Sequence, residues 1–360
     1  MSRKVSDSQV GIGRLLIVGL GLMGGSLALA ARRRGLCREV IGYSRSETTL
    51  ADAVRLHVVD RIEPHLPTAL SELESGDLVV IGVPTQVVPD ILAEVQRHAH
   101  SAVTLTDVAS VKGSVVAAAQ RVYGTVPPQF VPGHPIAGSE KSGVGAARAD
   151  LYEHHEVILT PVAETDALHL ARVRNLWTGV GARVSELTPE VHDQVLAATS
   201  HLPHMLAFGL VDALAEMARS QEIFRYAAGG FRDFTRIAGS DPVMWRDIAL
   251  ANRTALLAVF DRFEAQFAAL RAQQHEIEAG AKTFLGKSGE GTLAGALLET
   301  RLQEPYFFHD GGEAPRDGKL FGLRIQHFVH TLMQSRNRVG ALGALHLPCG
   351  EHFVPEQRRE

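Results

Sequence analysis

The segment VPGHPIAGSEKSG (131–143) sets one histidine among two prolines and three glycines. Such a stretch is too broken for a helix. It is expected to be a rigid loop, the kind of position from which a scaffold presents catalytic side chains. Its polar groups are His134, Ser139, Glu140 and Lys141. An imidazole titrates near neutral pH, so His134 can serve as a general base without special tuning.

A second chemical feature lies near the start. Gly19-Leu20-Gly21-Leu22-Met23-Gly24 matches G-x-G-x-x-G, follows an apolar run at 14–18 and opens a helical pattern at 23–34. In that setting Gly19 permits a tight turn, Gly21 lets the backbone approach a pyrophosphate, and Gly24 lets helix and strand pack closely. The unpaired N–H groups of the helix start face the phosphates. Leu22 and Met23 in the loop, and Val83-Pro84 at the end of the apolar run at 78–83, complete the expected dinucleotide contacts. An NAD-binding fold usually carries Asp or Glu at the end of its second strand, for the ribose 2′-hydroxyl. This chain has Tyr43-Ser44-Arg45-Ser46 there. Ser44, Arg45 and Ser46 suit a 2′-phosphate, which favours NADP; the alternative is a solvated Arg45 with NAD bound regardless.

Apolar runs and helical patterns alternate around these features. Strands are expected at 14–18, 40–43, 78–83, 103–106, 130–131, 157–160 and 182–184, and helices at 23–34, 47–56, 87–98, 112–122 and 164–178. That order predicts a Rossmann-type α/β domain over 14–187 with a mostly parallel sheet. After Thr188, a plausible N-cap with Pro189 at the first helical position, the texture becomes all-helical. The pattern at 189–219 is apolar nearly all round, which predicts burial on every side, partly in a subunit interface, with a kink at Pro203. A second long helix is expected over 242–278. Residues 1–13 read as a mobile tail. Residues 286–360 read as a poorly structured extension in which only 321–333 has helical periodicity.

The totals exclude several classes. The 360 residues carry a formal net charge of −4, which leaves no basic field for nucleic acid. No apolar run reaches the roughly 20 residues of a membrane span. Cys37 and Cys349 form neither a disulfide framework nor a zinc motif, which fits a reducing, cytoplasmic setting.

The motifs together resemble the prephenate/arogenate dehydrogenases of tyrosine biosynthesis. The matching stretches are GLGLMGGSLALA (19–30), DVASVKG (107–113), GHPIAGSEKSG (133–143), SHLPH (200–204) and GGFRDFTRIAGSDPVMWRDI (229–248). They occur in the family's order and span roughly 14–280. The resemblance implies a Rossmann domain followed by an all-α dimerisation domain at 188–285, and a homodimer built through the 189–219 helix. It also implies oxidative decarboxylation of prephenate to 4-hydroxyphenylpyruvate, or of arogenate to tyrosine.

In that reaction a nicotinamide takes a hydride from the carbinol carbon of a cyclohexadienol while a base takes the hydroxyl proton. The resemblance makes His134 the base. Ser110 then hydrogen-bonds the substrate hydroxyl or orients His134; capping of the next helix is a compatible alternative. The substrate is dianionic, and Arg236 is the candidate for gripping a carboxylate in bidentate fashion. His204 is placed beside the substrate side chain, with His201 lining the site or simply buried. The i, i+3 spacing of the two histidines puts them near one face, but no HExxH accompanies them, so no metal site is assigned. The resemblance also implies that Glu140, Arg232 and Asp233 fall near the pocket mouth, as gating ion pairs or as surface charges of no consequence. Trp245 is assigned to packing.

A non-catalytic dinucleotide sensor is the rival from another class; the joint presence of His134, Ser110 and Arg236 argues against it. SHLPH and DFTRIAGSDP argue against other β-hydroxyacid dehydrogenases. Lys141 beside the one acid of its loop favours prephenate over arogenate. The extension lacks the alternating strands of a regulatory ACT domain, so tyrosine inhibition would have to act at the active site.

Overall fold

The computed structural model describes residues 11–139 and 141–285. Glu140, residues 1–10 and the 286–360 extension, with its expected helix and its expected lack of an ACT fold, lie outside the described residues.

Six strands form one parallel sheet in the order β3-β2-β1-β4-β5-β6. They are β1 (Ile12–Val18), β2 (Cys37–Tyr43), β3 (Arg61–Ile62), β4 (Leu78–Ile81), β5 (Thr104–Asp107) and β6 (Phe130–Val131). β1 begins two residues earlier than the sequence pattern indicates, taking in Ile12 and Gly13. Its side chains alternate between two cores, as the period of two requires. Leu15 and Ile17 pack with Leu27, Val40 and Trp177 on one face. Leu16 and Val18 pack with Leu66, Leu92 and Val115 on the other. Helices α1 (Leu22–Arg33), α2 (Glu47–Arg55), α3 (Leu66–Ser71), α4 (Val88–His98) and α5 (Lys112–Tyr123) make the crossovers. β3 and α3 are not legible in the sequence, because two and six residues are too short to show a period.

After Val131 the chain leaves the large sheet at Pro132 and enters a smaller one. That sheet comprises β7 (Gly133–Pro135), β8 (Glu156–Leu159) and β9 (Arg183–Glu186), with β7 antiparallel to β8 and β8 parallel to β9. α6 (Ala167–Gly179) connects β8 to β9.

The helical region opens with α7 (Pro189–Leu196), capped as expected by the Thr188 hydroxyl, which accepts from the Val191 N–H at 3.3 Å. A five-residue π turn at Ala197–His201 separates it from α8 (Leu202–Ala215). The break therefore falls one turn before Pro203, not at it. Proline supplies no N–H to the carbonyl four residues back and its ring crowds that carbonyl, so the turn N-terminal to it absorbs the distortion. Nor is this segment buried all round within one chain. Leu196, Leu202, Met205 and Phe208 are buried, whereas Val191, Val195, Leu210 and Met217 are exposed.

Three short pieces follow: α9 (Ser220–Arg225), α10 (Gly229–Thr235) and a single 3-10 turn at Arg236–Gly239. The long helix expected over 242–278 is two helices, α11 (Pro242–Ala251) and α12 (Arg253–Leu285), broken at Asn252. By compactness the chain divides after Asp261. In the second unit residues 262–274 of α12 are mostly exposed, with Phe263 stacked on Phe267. No described helix is long and apolar enough to cross a membrane.

Candidate active site

The glycine loop sits at the carboxyl end of β1, where ligands of open α/β sheets bind. Each glycine is there for a different reason. Gly19 has φ +104°, and a Cβ on it would lie 2.5 Å from the Gly82 carbonyl oxygen. A Cβ on Gly24 would lie 2.0 Å from the Gly19 carbonyl oxygen and 2.9 Å from the Ile17 side chain, so α1 can press against β1 only without one. A Cβ on Gly21 would meet nothing within 4 Å. Gly21 is the N-cap of α1 and supplies no side-chain cap, so none of its own atoms competes for the first N–H groups of α1. That is a cradle fit for a pyrophosphate. Leu22 and Met23 form its first turn, half-buried, and Val83 lies against Gly19 from the end of β4, with Pro84 next to it.

At the end of β2, the hydroxyl of Ser46 caps α2, accepting from the Thr49 N–H at 3.2 Å. The Ser44 hydroxyl accepts from the Ser46 N–H at 3.2 Å. These two serines shape the loop, and Arg45 stands exposed between them. No carboxylate occupies this strand end.

His134 lies not in a loop but at the centre of β7, paired with Ile158 of β8. A buried clamp fixes the strand. Asp107, at the end of β5, accepts from the Gly133 N–H at 3.2 Å, while Lys112 Nζ donates to the Gly133 carbonyl at 2.6 Å and also to Asp107. Both charged side chains are fully buried. Removing one member of such a pair costs about 3–5 kcal/mol, because the other is stranded. Burial pushes the Lys112 ammonium below its usual range, with Asp107 opposing.

His134 is oriented by a residue that no sequence motif brings forward. Its Nδ1 lies 2.9 Å from His192 Nε2, and His192 Nδ1 lies 2.8 Å from Asp193 Oδ1. An ionised carboxylate only accepts, so His192 carries its proton on Nδ1 and, when neutral, offers a lone pair at Nε2. His134 therefore donates from Nδ1, which leaves its own Nε2 as a lone pair for chemistry. Burial holds both rings neutral by lowering their proton affinity. At His134, His192, Lys112 and His201 add to the effect. At His192 the hydrogen bond to Asp193 opposes it. Asp193 also acts at a distance in sequence. Its two oxygens accept the Lys112 and Gly113 N–H groups at 2.8 Å each, capping α5 from about eighty residues away.

The expected alternative roles of Ser110 fall away accordingly. The N-cap of α5 is Val111, and no side chain within its own loop caps the helix. His134 is oriented by His192, not by Ser110. Ser110 is half-buried on the β5–α5 connection.

In the helical region the π turn turns His201 inward. Its Nδ1 lies 3.1 Å from Asn252 Nδ2, and burial lowers its pKa to about 4. His204 donates from Nδ1 to the Ser200 carbonyl at 2.9 Å, so its neutral ring shows a lone pair at Nε2. Burial and the nearby Arg236 guanidinium lower its pKa. Trp245 does more than fill space: it stacks on His204 with ring centroids 3.5 Å apart and meets His201 edge-on. Arg236 opens its 3-10 turn, within electrostatic reach of His204. Arg232 and Asp233 are exposed on α10, and neither is in an ion pair among the described residues.

Two family models match in succession. The nucleotide-binding domain of prephenate dehydrogenase matches residues 27–186, and the dimerization domain of prephenate dehydrogenase matches residues 188–281. Prephenate dehydrogenase of Bacillus subtilis is 38% identical over 302 residues, 82% of this chain and 79% of its own. The chain belongs to the prephenate dehydrogenase family. Cyclohexadienyl dehydrogenase of Zymomonas mobilis is 38% identical over 71% of this chain and 87% of its own. Among solved structures, prephenate dehydrogenase of Aquifex aeolicus, in complex with hydroxyphenyl propionate and NAD+, superposes with a TM-score of 0.71 at 36% identity, covering 81% of this chain and 97% of that one. Family membership makes the chain an oxidoreductase with a Rossmann-like nucleotide-binding domain and a helical second domain. The first model begins at residue 27, so the glycine loop lies upstream of the match and its assignment rests on its own geometry.

His192, Asp193, Lys112, Asp107 and Asn252 are site residues that sequence reasoning does not single out. His192 and Asp193 carry no usable signal, because they stand beside the equally polar Glu190 and Gln194 in the same helix.

Proposed function

We propose that this chain oxidises and decarboxylates prephenate to 4-hydroxyphenylpyruvate, with a nicotinamide dinucleotide held at Gly19, Gly21, Leu22, Met23, Gly24, Val83 and Pro84. The observation that carries the proposal is the His134–His192–Asp193 chain, tied through Gly133 to Asp107 at the carboxyl end of β5, as the glycine cradle lies at the carboxyl end of β1. When bound, the nicotinamide accepts the hydride of the carbinol carbon. His134 takes the hydroxyl proton at Nε2. The positive charge that develops stays on its ring and is stabilised by the hydrogen bond from Nδ1 to His192, whose own bond to the Asp193 carboxylate orients it and strengthens it as an acceptor. The Ser110 hydroxyl binds the substrate hydroxyl and holds its proton toward His134. Arg236 grips a substrate carboxylate, with His204 and His201 lining the same pocket, and Arg232 and Asp233 at its mouth. Departure of the ring carboxylate as CO2 aromatises the ring and makes turnover irreversible.

Arg45 favours NADP, since it stands exposed at a strand end without a carboxylate. The nucleotide-binding domain takes in 14–187 and the helical domain 188–285. The exposed Val191, Val195, Leu210 and Met217 of the 189–219 segment are the surface through which two copies pair. The enzyme works in the cytoplasm as a homodimer.

Cofactor reduction measured with prephenate and with arogenate, each with NAD and NADP, tests this. The highest kcat/KM is expected for prephenate with NADP. Absence of turnover in all four combinations overturns the reaction, and a strong NAD preference overturns the cofactor assignment.

A further inference from the structure

Asn252 ends α11 and is 5% exposed. Its Nδ2 lies 2.7 Å from the Asp193 backbone carbonyl and 3.1 Å from His201 Nδ1. A carbonyl oxygen only accepts, so the amide nitrogen, not the amide oxygen, faces this corner. One Nδ2 hydrogen goes to Asp193. The other points at His201 Nδ1, which must then accept, and the His201 proton resides on Nε2. We propose that Asn252 is a positioning residue: it fixes His201 as an Nε2–H donor to a substrate oxygen and at the same time holds the main chain of Asp193 beneath the histidine pair.

Three features support it. The Asp193 carbonyl also accepts from the Ala197 N–H, at the point where regular helix gives way to the π turn, so it is a carbonyl with room for a second donor. The ring of His201 is buried, with Asp193 and His192 facing it from α7, His204 from α8 and Trp245 from α11. Burial outweighs the attraction of Asp193, so the ring stays neutral and its tautomer is a choice between two forms. His204 is set the opposite way by the Ser200 carbonyl. The SHLPH segment therefore presents one donor ring and one acceptor ring, three residues apart. The donor role toward substrate rests on the dehydrogenase reading; the tautomer does not.

The test is imidazole 15N NMR on the full-length protein at neutral pH, with His201 assigned through His201→Gln, alongside steady-state kinetics of Asn252→Ala. Wild type is expected to show His201 protonated at Nε2 and bare at Nδ1. In Asn252→Ala that pattern is expected to give way to a mixture of tautomers. KM for prephenate should then rise about tenfold, the loss of one ordinary hydrogen bond, while KM for the dinucleotide changes less than about twofold. Nδ1-protonated His201 in wild type overturns the inference, and needs no variant to fold. So does an Asn252→Ala protein with the wild-type tautomer and an unchanged KM. A wild-type Nε2–H signal in a protein that turns over neither prephenate nor arogenate leaves Asn252 as the tautomer-setting group and overturns the reaction instead.

Discussion

His134 and His192 share one hydrogen bond, Nδ1 to Nε2 at 2.9 Å, with the rings edge to face at 5.1 Å between centroids. Because Asp193 holds the far side of His192, only His134 keeps an uncommitted ring nitrogen. His134→Asn is expected to lower kcat by about 10²–10⁴-fold, the usual worth of a general base, with dinucleotide affinity unchanged in a fluorescence titration. His192→Phe should keep KM near wild type and lower kcat roughly a hundredfold or more, in line with removing the support of a catalytic histidine. Equal kcat in His192→Phe and wild type would show that His192 gives the base no support.

Stability should fall on acidification. His134, His192, His201 and His204 all have lowered folded-state pKa values, so the unfolded chain binds protons that the folded chain refuses. Above the unfolded value of about 6.5 they contribute no slope; below it, stability is lost with each unit of pH until the folded value is reached. For His201 alone, between 6.5 and about 4, the loss is roughly 3 kcal/mol. Urea unfolding at pH values of about 7.5, 5.5 and 4.5 checks this, and a flat profile over that range contradicts the neutral-histidine cluster.

Arg45→Asp should exchange one cofactor for the other. Losing a charge-assisted contact to the 2′-phosphate costs about 1.5–3 kcal/mol, or roughly 10- to 100-fold in KM for NADP, while the new carboxylate can hold the 2′-hydroxyl of NAD. Arg45 is exposed, so the melting temperature is expected to stay put. Unaltered KM for both dinucleotides would remove Arg45 from the site.

Two alanine substitutions three residues apart should behave oppositely. Gly21→Ala meets nothing within 4 Å and leaves the fold intact, yet its methyl enters the cradle and should weaken dinucleotide binding. Gly24→Ala drives a methyl into the Gly19 carbonyl and should lower the melting temperature first. Calorimetry with and without dinucleotide separates the two effects.

Much of this is written locally in the chain. The glycine loop, the missing acid after β2 and the Thr188-Pro189 helix start depend on neighbours within a few residues, and the structure keeps them. His134 is visible through its odd surroundings, although it is a strand residue: Pro132 marks a strand changing sheets, which looks in sequence like a loop. What stays hidden is tertiary. His134 and His192 are 58 positions apart, and Asp193 and Lys112 are 81 apart. No periodicity announces such a pairing. Asn252 likewise breaks a long helical pattern for a reason located on α7.

The bond from Asp193 to the first amides of α5 has a mechanical corollary. A carboxylate anchored in the opening helix of the second domain is plugged into the first, a few residues past the nominal junction. Swinging the two halves apart there would strand that anion and uncap α5 together. A bend at this seam therefore has to break both of those bonds first.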